Sequence, residues 1–231
     1  MRIAGYLPHL EELRKRILLS LGFMAAATAL SFYFISPVMD FLQRPLSGLE
    51  VSLNYFKPYE KFMTYMKVAF FSGLIFTMPF MLAQAGAFIY PALKKSERPV
   101  FWVFTVSIPS IMLAGFAFGY FVMVPVAFKF FAGFAQADGV RPVWGISSYF
   151  DVISSVIFWC GMIFQLPLIL VFLMKLGIIK AGDLEKARKV IVVVILTVAA
   201  VFTPPDVMTQ VLMAVPLYLL FELSIIIGKR L

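Results

Sequence analysis

The sequence predicts an all-α, polytopic membrane protein with six transmembrane helices and both termini in the cytoplasm. Three observations predict it. Of 231 residues, 62% are hydrophobic and 14% charged, whereas soluble domains carry roughly 25% charged residues and are less than half apolar. The apolar residues gather into six runs, and about 20 helical residues cross a bilayer core of about 30 Å. The cations fall unevenly into the gaps between runs, as an orientation signal does.

The runs place helices over about 17–39, 62–93, 99–130, 148–174, 188–203 and 206–228, in one integral membrane domain covering 1–231. None alternates like a barrel strand, so helices must satisfy the backbone. The first run follows Arg14-Lys15-Arg16 and holds Ala27-Thr28-Ala29, the outline of a cleavable signal. Apolar residues continue from Phe32 to Ile35, and Glu11 and Glu12 stand before the run, so retention as a span is expected. The loop over 37–59 is rich in Pro, Ser and Gly. Short interfacial helices or turns are expected there, with Phe41, Leu42, Tyr55 and Phe56 against the headgroups. Glu60 fits the first turn of the second helix, where the helix dipole favours an anion.

In the third run, "GFAFG" at Gly115–Gly119 sets small residues four apart, the spacing of close helix packing. In the fourth, "CGMIFQLPLIL" puts Gln165 near mid-span. An amide there either bonds carbonyls freed by Pro167 or faces a polar recess between helices. The fifth and sixth helices are expected to be short, forming a hairpin through "TPPD" at Thr203–Asp206. The apolar part of the fifth falls short of the bilayer core. Local thinning meets that mismatch, or Arg188 and Lys189 snorkel to extend the span. Asp206 caps the sixth helix. Gln210, one turn on, is packed internally or offered to another membrane helix. Glu222 lies near the cytoplasmic end.

Of the 20 Lys and Arg, 14 lie in the N-terminal segment, the second and fourth loops and the C-terminus. Three lie in loops of the opposite side and three near or inside helix ends. The first set faces the cytoplasm. The net charge of +8 is thus spent on orientation, and no nucleic-acid partner is expected. His9 and Cys160 are each the sole residue of their type, so neither a metal site nor a nucleophile–base pair is supported. No phosphate-cradling loop is present. No enzyme activity and no cofactor are expected.

"HLEELRKRIL" is amphipathic at helical spacing, and Glu11 and Glu12 can pair with Arg14, Lys15 and Arg16 along it. A second acid, Glu97, sits in "YPALKKSERP", where composition alone favours pairing with Arg98 or Lys94. Acids do not orient a membrane protein, so a cationic ligand enters as a second reading.

Four motifs then occur in order: "HLEELRKR" (His9–Arg16), "AFIYPALKKSER" (Ala87–Arg98), "FQLP" (Phe164–Pro167) and "TPPDVMTQ" (Thr203–Gln210). Together, in a six-span frame, the chain resembles the TatC family, the receptor subunit of the twin-arginine protein translocase. The resemblance implies recognition of twin-arginine signal peptides of folded precursors at the cytoplasmic face, with export driven by the proton-motive force. It makes Glu12 and Glu97 the acids that bind the arginines, with Arg14, Phe88 and Pro91 around them. Gln165, where many relatives have Glu, would face the recess for the signal's apolar part. Thr203, Asp206 and Gln210 would meet the single-span subunits TatA or TatB. Further copies of the chain and membrane lipid complete the expected partners, and the cytoplasmic (inner) membrane is the expected location. One departure is Ala85-Gly86 after the glutamine of "QAGAF", where the family often has an aromatic.

Chemistry makes this reading coherent. A guanidinium can engage a carboxylate through paired charge-assisted hydrogen bonds, which the point charge of lysine cannot reproduce. Exposed pairs contribute only about 0–1 kcal/mol each, so burial of an apolar segment must supply much of the affinity. The alternative is a small-molecule secondary transporter, which predicts titratable midplane groups and internal pseudo-symmetry. Neither is apparent in the sequence.

Overall fold

The computed structural model describes residues 7–92, 98–137, 142–202 and 207–230. Among these, five helical runs are long and apolar enough to span a membrane: Leu10–Tyr33, Glu60–Ile89, Phe101–Ala135, Ile146–Lys175 and Val207–Gly228. Many large apolar side chains point outward, Phe76, Val106, Phe121 and Val201 among them. Such a surface suits lipid rather than water.

Proline decides where the long helices break. Helix α1 (Leu7–Tyr33) stops at Phe34, and α2 (Ile35–Gln43) begins. Pro37 has no N–H for the Tyr33 carbonyl and its ring crowds that oxygen. The run expected over 17–39 is therefore a longer helix, starting before the first cation cluster, followed by a separate short one. The same rule divides the fourth run. Pro167 cannot donate to the Ile163 carbonyl, so α6 (Ile146–Ile163) ends and α7 (Leu166–Lys175) starts after the Phe164–Gln165 step. Helix α7 closes at Gly177, whose φ of 72° allows the Gly177 and Ile178 amides to reach back to the Met174 and Leu173 carbonyls.

Helix α3 (Glu60–Ile89) runs 30 residues and ends in a 3-10 turn, Tyr90–Ala92. Helix α4 (Arg98–Phe118) passes through a π-helical turn, Gly119–Met123, into α5 (Val124–Ala137). Pro125 lacks the N–H that the Phe121 carbonyl would accept, and the wider turn absorbs the loss. Helix α8 (Ala181–Lys186) was not apparent in the sequence. Helix α9 (Arg188–Phe202) has 15 residues, about 22 Å of rise. Helix α10 (Val207–Gly228) has 22, about 33 Å. Only α9 of the last hairpin is therefore short.

Helix α6 is the core element. Tyr149, Phe150, Ile153 and Cys160 are buried against Met112 of α4, Met123 of the π-helical turn and Val124 and Phe128 of α5. The close approach depends on the two glycines of "GFAFG". A Cβ at Gly115 would stand 2.7 Å from the Cys160 carbonyl oxygen, and one at Gly119 would stand 3.0 Å from the Ile157 Cα.

At the end of the bundle reached by α2, two three-residue strands pair in parallel. β1 (Ser52–Asn54) runs beside β2 (Val143–Gly145), with Leu53 opposite Trp144. The Tyr120 and Tyr149 hydroxyls donate to the Phe41 and Leu42 carbonyls at 2.5 and 2.6 Å, fixing the end of α2. Glu60 accepts from the Phe56 and Lys57 amides at 2.7 and 3.1 Å and from the Ser147 amide at 3.3 Å. The anion expected in the first turn of the second helix thus also holds the start of α6.

Candidate functional site

Helices α1 and α3 run antiparallel and touch closely, with Gly73 against the Thr28 backbone. This brings the N-terminal turns of α1 beside the C-terminal turns of α3. Glu12 and Arg16 stand one turn apart on one face of α1. Glu12 Oε1 accepts from Arg16 Nε at 3.1 Å and Nη2 at 2.6 Å, and Arg16 Nη1 donates to Gln84 Oε1 at 3.0 Å. Below this cluster lies a groove of about 450 Å³ lined by Leu13, Ile17, Ser20, Met81 and Phe88, with Arg16 and Gln84 at its edge. Its lining is otherwise almost wholly apolar.

Of the residues expected to form the peptide site, the structure brings Glu12 and Phe88 to this end of the α1–α3 pair. Arg14 is exposed and, two residues from Glu12, points away from that face. Pro91 is exposed in the turn after α3. Glu97 lies outside the described residues, as do Lys94 and Lys95. Arg98, which opens α4, stacks its guanidinium 5.2 Å from the centre of the Tyr90 ring. The pairing of Glu12 within its own helix matches the sequence reading. Gln84 and the clamping of Arg16 do not follow from it. The signal was there, since Gln84 is a polar residue inside an apolar run, one turn before Phe88 on the same face.

Gln165 is 5% exposed. Its Nε2 donates to the Ile108 carbonyl on α4 at 3.2 Å, while its buried Oε1 has no partner among the described residues. The amide therefore bridges to the residue preceding Pro109 on a neighbouring helix, rather than to the carbonyl freed by Pro167. Gln210 Nε2 donates to the Leu196 carbonyl at 3.0 Å, so its amide ties α10 to α9. Thr203 and Asp206 lie outside the described residues. Beside Gln210, α9 and α10 form an apolar groove of about 310 Å³ lined by Val192, Leu196, Val211, Val215 and Leu219.

A second charged cluster joins α8, α9 and α10. Arg188 Nη2 donates to Glu222 Oε2 at 2.8 Å, and the Tyr218 hydroxyl donates to Glu222 Oε1 at 2.8 Å. Glu185 meets Lys229 at 2.5 Å and Arg188 at 3.7 Å. Among the described residues no group of three His, Cys, Asp or Glu could hold a metal, and Cys160 is buried in the α4–α6 contact.

Long apolar helices, broken at Pro37 and Pro167 and packed closely through glycines, with large apolar side chains outward, define a polytopic membrane protein. Residues 8–216 match the model of the family described as TatC, Sec-independent protein translocase protein. A TatC of Campylobacter jejuni is 38% identical over 228 residues, covering 96% of this chain and 93% of the relative. One of Halalkalibacterium halodurans is 33% identical over 224 residues, covering 97% and 88%. A crystal structure of the twin-arginine translocase receptor TatC in DDM superposes with a TM-score of 0.85 at 33% identity, covering 95% of this chain and 99% of the other. The chain belongs to the TatC family. It is accordingly a membrane component of the Sec-independent, twin-arginine protein translocase, a transport protein and not a catalytic enzyme. This sets aside the small-molecule transporter reading.

Proposed function

We propose that this chain is the receptor that binds twin-arginine signal peptides of folded precursor proteins at the cytoplasmic face of the inner membrane. Glu12 and Glu97 accept the two arginines, with Arg14, Phe88 and Pro91 forming the surrounding surface. The observation that carries the reading is Glu12 itself, a carboxylate at the α1–α3 end that already accepts two N–H groups of a guanidinium. A second arginine fork asks for the same chemistry.

The chain crosses the membrane six times as one domain, with α9 as the short span and both termini in the cytoplasm. The cation distribution supports that orientation. Thr203, Asp206, Gln210 and the apolar face of α9 and α10 receive single-span TatA or TatB subunits, and further copies of the chain join the complex. Gln165 supplies a polar contact near the path of the signal's apolar segment. The chain carries no nucleotide-binding loop, and its family relationship points to the proton-motive force as the drive for export.

The test is crosslinking of a labelled twin-arginine peptide to membrane vesicles containing the assembled translocase. Glu12→Gln and Glu97→Gln should each weaken crosslinking while leaving partner subunits bound. Undiminished crosslinking in the double variant sinks the assignment.

A further inference from the structure

Arg16 meets Glu12 as an arginine ligand would. Two features distinguish this contact from a loose charge pair on a helix face. The side chains are only 26% and 33% exposed, and the guanidinium is fastened from another helix by Gln84, 68 residues away in sequence. A long side chain normally samples many rotamers in water. One held at both ends has already lost that freedom, so it occupies its acceptor more of the time.

We infer that Arg16 is an internal competitor for Glu12, a resident guanidinium that an arriving arginine must displace. The inference rests on the reading of Glu12 as an acceptor of a signal-peptide arginine. Gln84 is the positioning residue. Its Oε1 holds Nη1 and leaves Nε and Nη2 aimed at Glu12. After displacement the same oxygen still offers Arg16 a partner at the edge of the α1–α3 groove. Between cargoes the arrangement keeps a partly buried carboxylate compensated.

The consequence is quantitative. Only receptors whose Glu12 is released can bind, so apparent affinity falls by that fraction. The penalty is the same for any cationic ligand. Preference for arginine over lysine comes separately, from fork geometry.

The experiment titrates fluorescent peptides carrying Arg-Arg or Lys-Lys against membrane vesicles holding the assembled translocase. Arg16→Gln should bind both peptides roughly three- to sixfold more tightly, the occupancy expected of a partly exposed ion pair. Arg16→Lys keeps the charge and loses the fork, and should gain about twofold. On a Glu12→Gln background, Arg16→Gln should gain nothing, because the shared acceptor is gone. Unchanged or weaker binding by Arg16→Gln overturns the inference. So does an equal gain on the Glu12→Gln background, which would mean simple removal of a repelling charge. Should Arg16→Gln fail to accumulate, Arg16→Lys decides, and no gain there overturns it too. If Glu12→Gln alone leaves twin-arginine binding intact, the receptor reading of Glu12 fails instead.

Discussion

Gln165 of the α6–α7 joint donates its side-chain amide to the Ile108 carbonyl of α4 at 3.2 Å, while its own carbonyl oxygen is buried without a partner among the described residues. The contact sits between two proline-altered segments, Pro109 on α4 and Pro167 on α7. It therefore ties the residue before the proline inside α4 to the joint where α6 gives way to α7. One half of the amide stabilises the joint and the other half costs.

That division sets the first prediction. Gln165→Leu removes a hydrogen bond worth about 1 kcal/mol and also an unsatisfied acceptor costing about 1–3 kcal/mol. Thermal unfolding in detergent should match the parent or come slightly later. Gln165→Glu should unfold earlier at neutral pH, since an ionised carboxylate would face the Ile108 carbonyl with no donor between them. In acidic buffer the protonated carboxyl can donate to that carbonyl, and the deficit should shrink.

The glycines of "GFAFG" make a sharper contrast. Gly115→Ala places a methyl 2.7 Å from the Cys160 carbonyl oxygen, which forces α4 from α6 and should cost about 1–3 kcal/mol. Gly22→Ala, where a Cβ meets nothing within 4 Å, should be neutral or stabilising by up to about 1 kcal/mol. Melting curves of the two variants in one detergent test the difference, and equal curves refute the packing argument.

Glu60 is the acceptor for amides from two separate segments. Glu60→Gln keeps the shape but leaves one acceptor oxygen, so its NH2 must face either the Ser147 N–H or the Phe56 and Lys57 N–H groups. The loop before α3 should then open more often. Limited proteolysis between α2 and α3 should run roughly severalfold faster, with α1–α3 packing unchanged.

Much of the fold was legible because it is local. A run of apolar residues must be helical in lipid, and a Gly-x-x-x-Gly spacing marks a face where backbones can meet. The helix breaks were legible in principle too, since Pro37 and Pro167 each silence the carbonyl four residues earlier. Hydropathy windows blurred them, because apolar residues continue across both joints. The candidate site was only half legible. Glu12 and Arg16 are one turn apart in any helix, so their pairing needs no fold. Gln84 belongs to it only because α1 and α3 run antiparallel.

By itself, then, the sequence determined the helices, their breaks and glycine faces and the uneven distribution of cations between the apolar runs. Each depends on neighbours within a turn or two, or on the bilayer acting as solvent. Tertiary structure alone decided which polar group meets which: Arg16 with Gln84, Gln165 with Ile108 and Glu60 with Ser147, at separations of 68, 57 and 87 residues. A polar side chain at membrane depth must find a partner, but its own sequence offers many nearby acceptors. The antiparallel docking of helices selects one of them, and so decides whether Glu12 is held by its own helix alone or by a clamp that reaches across to α3.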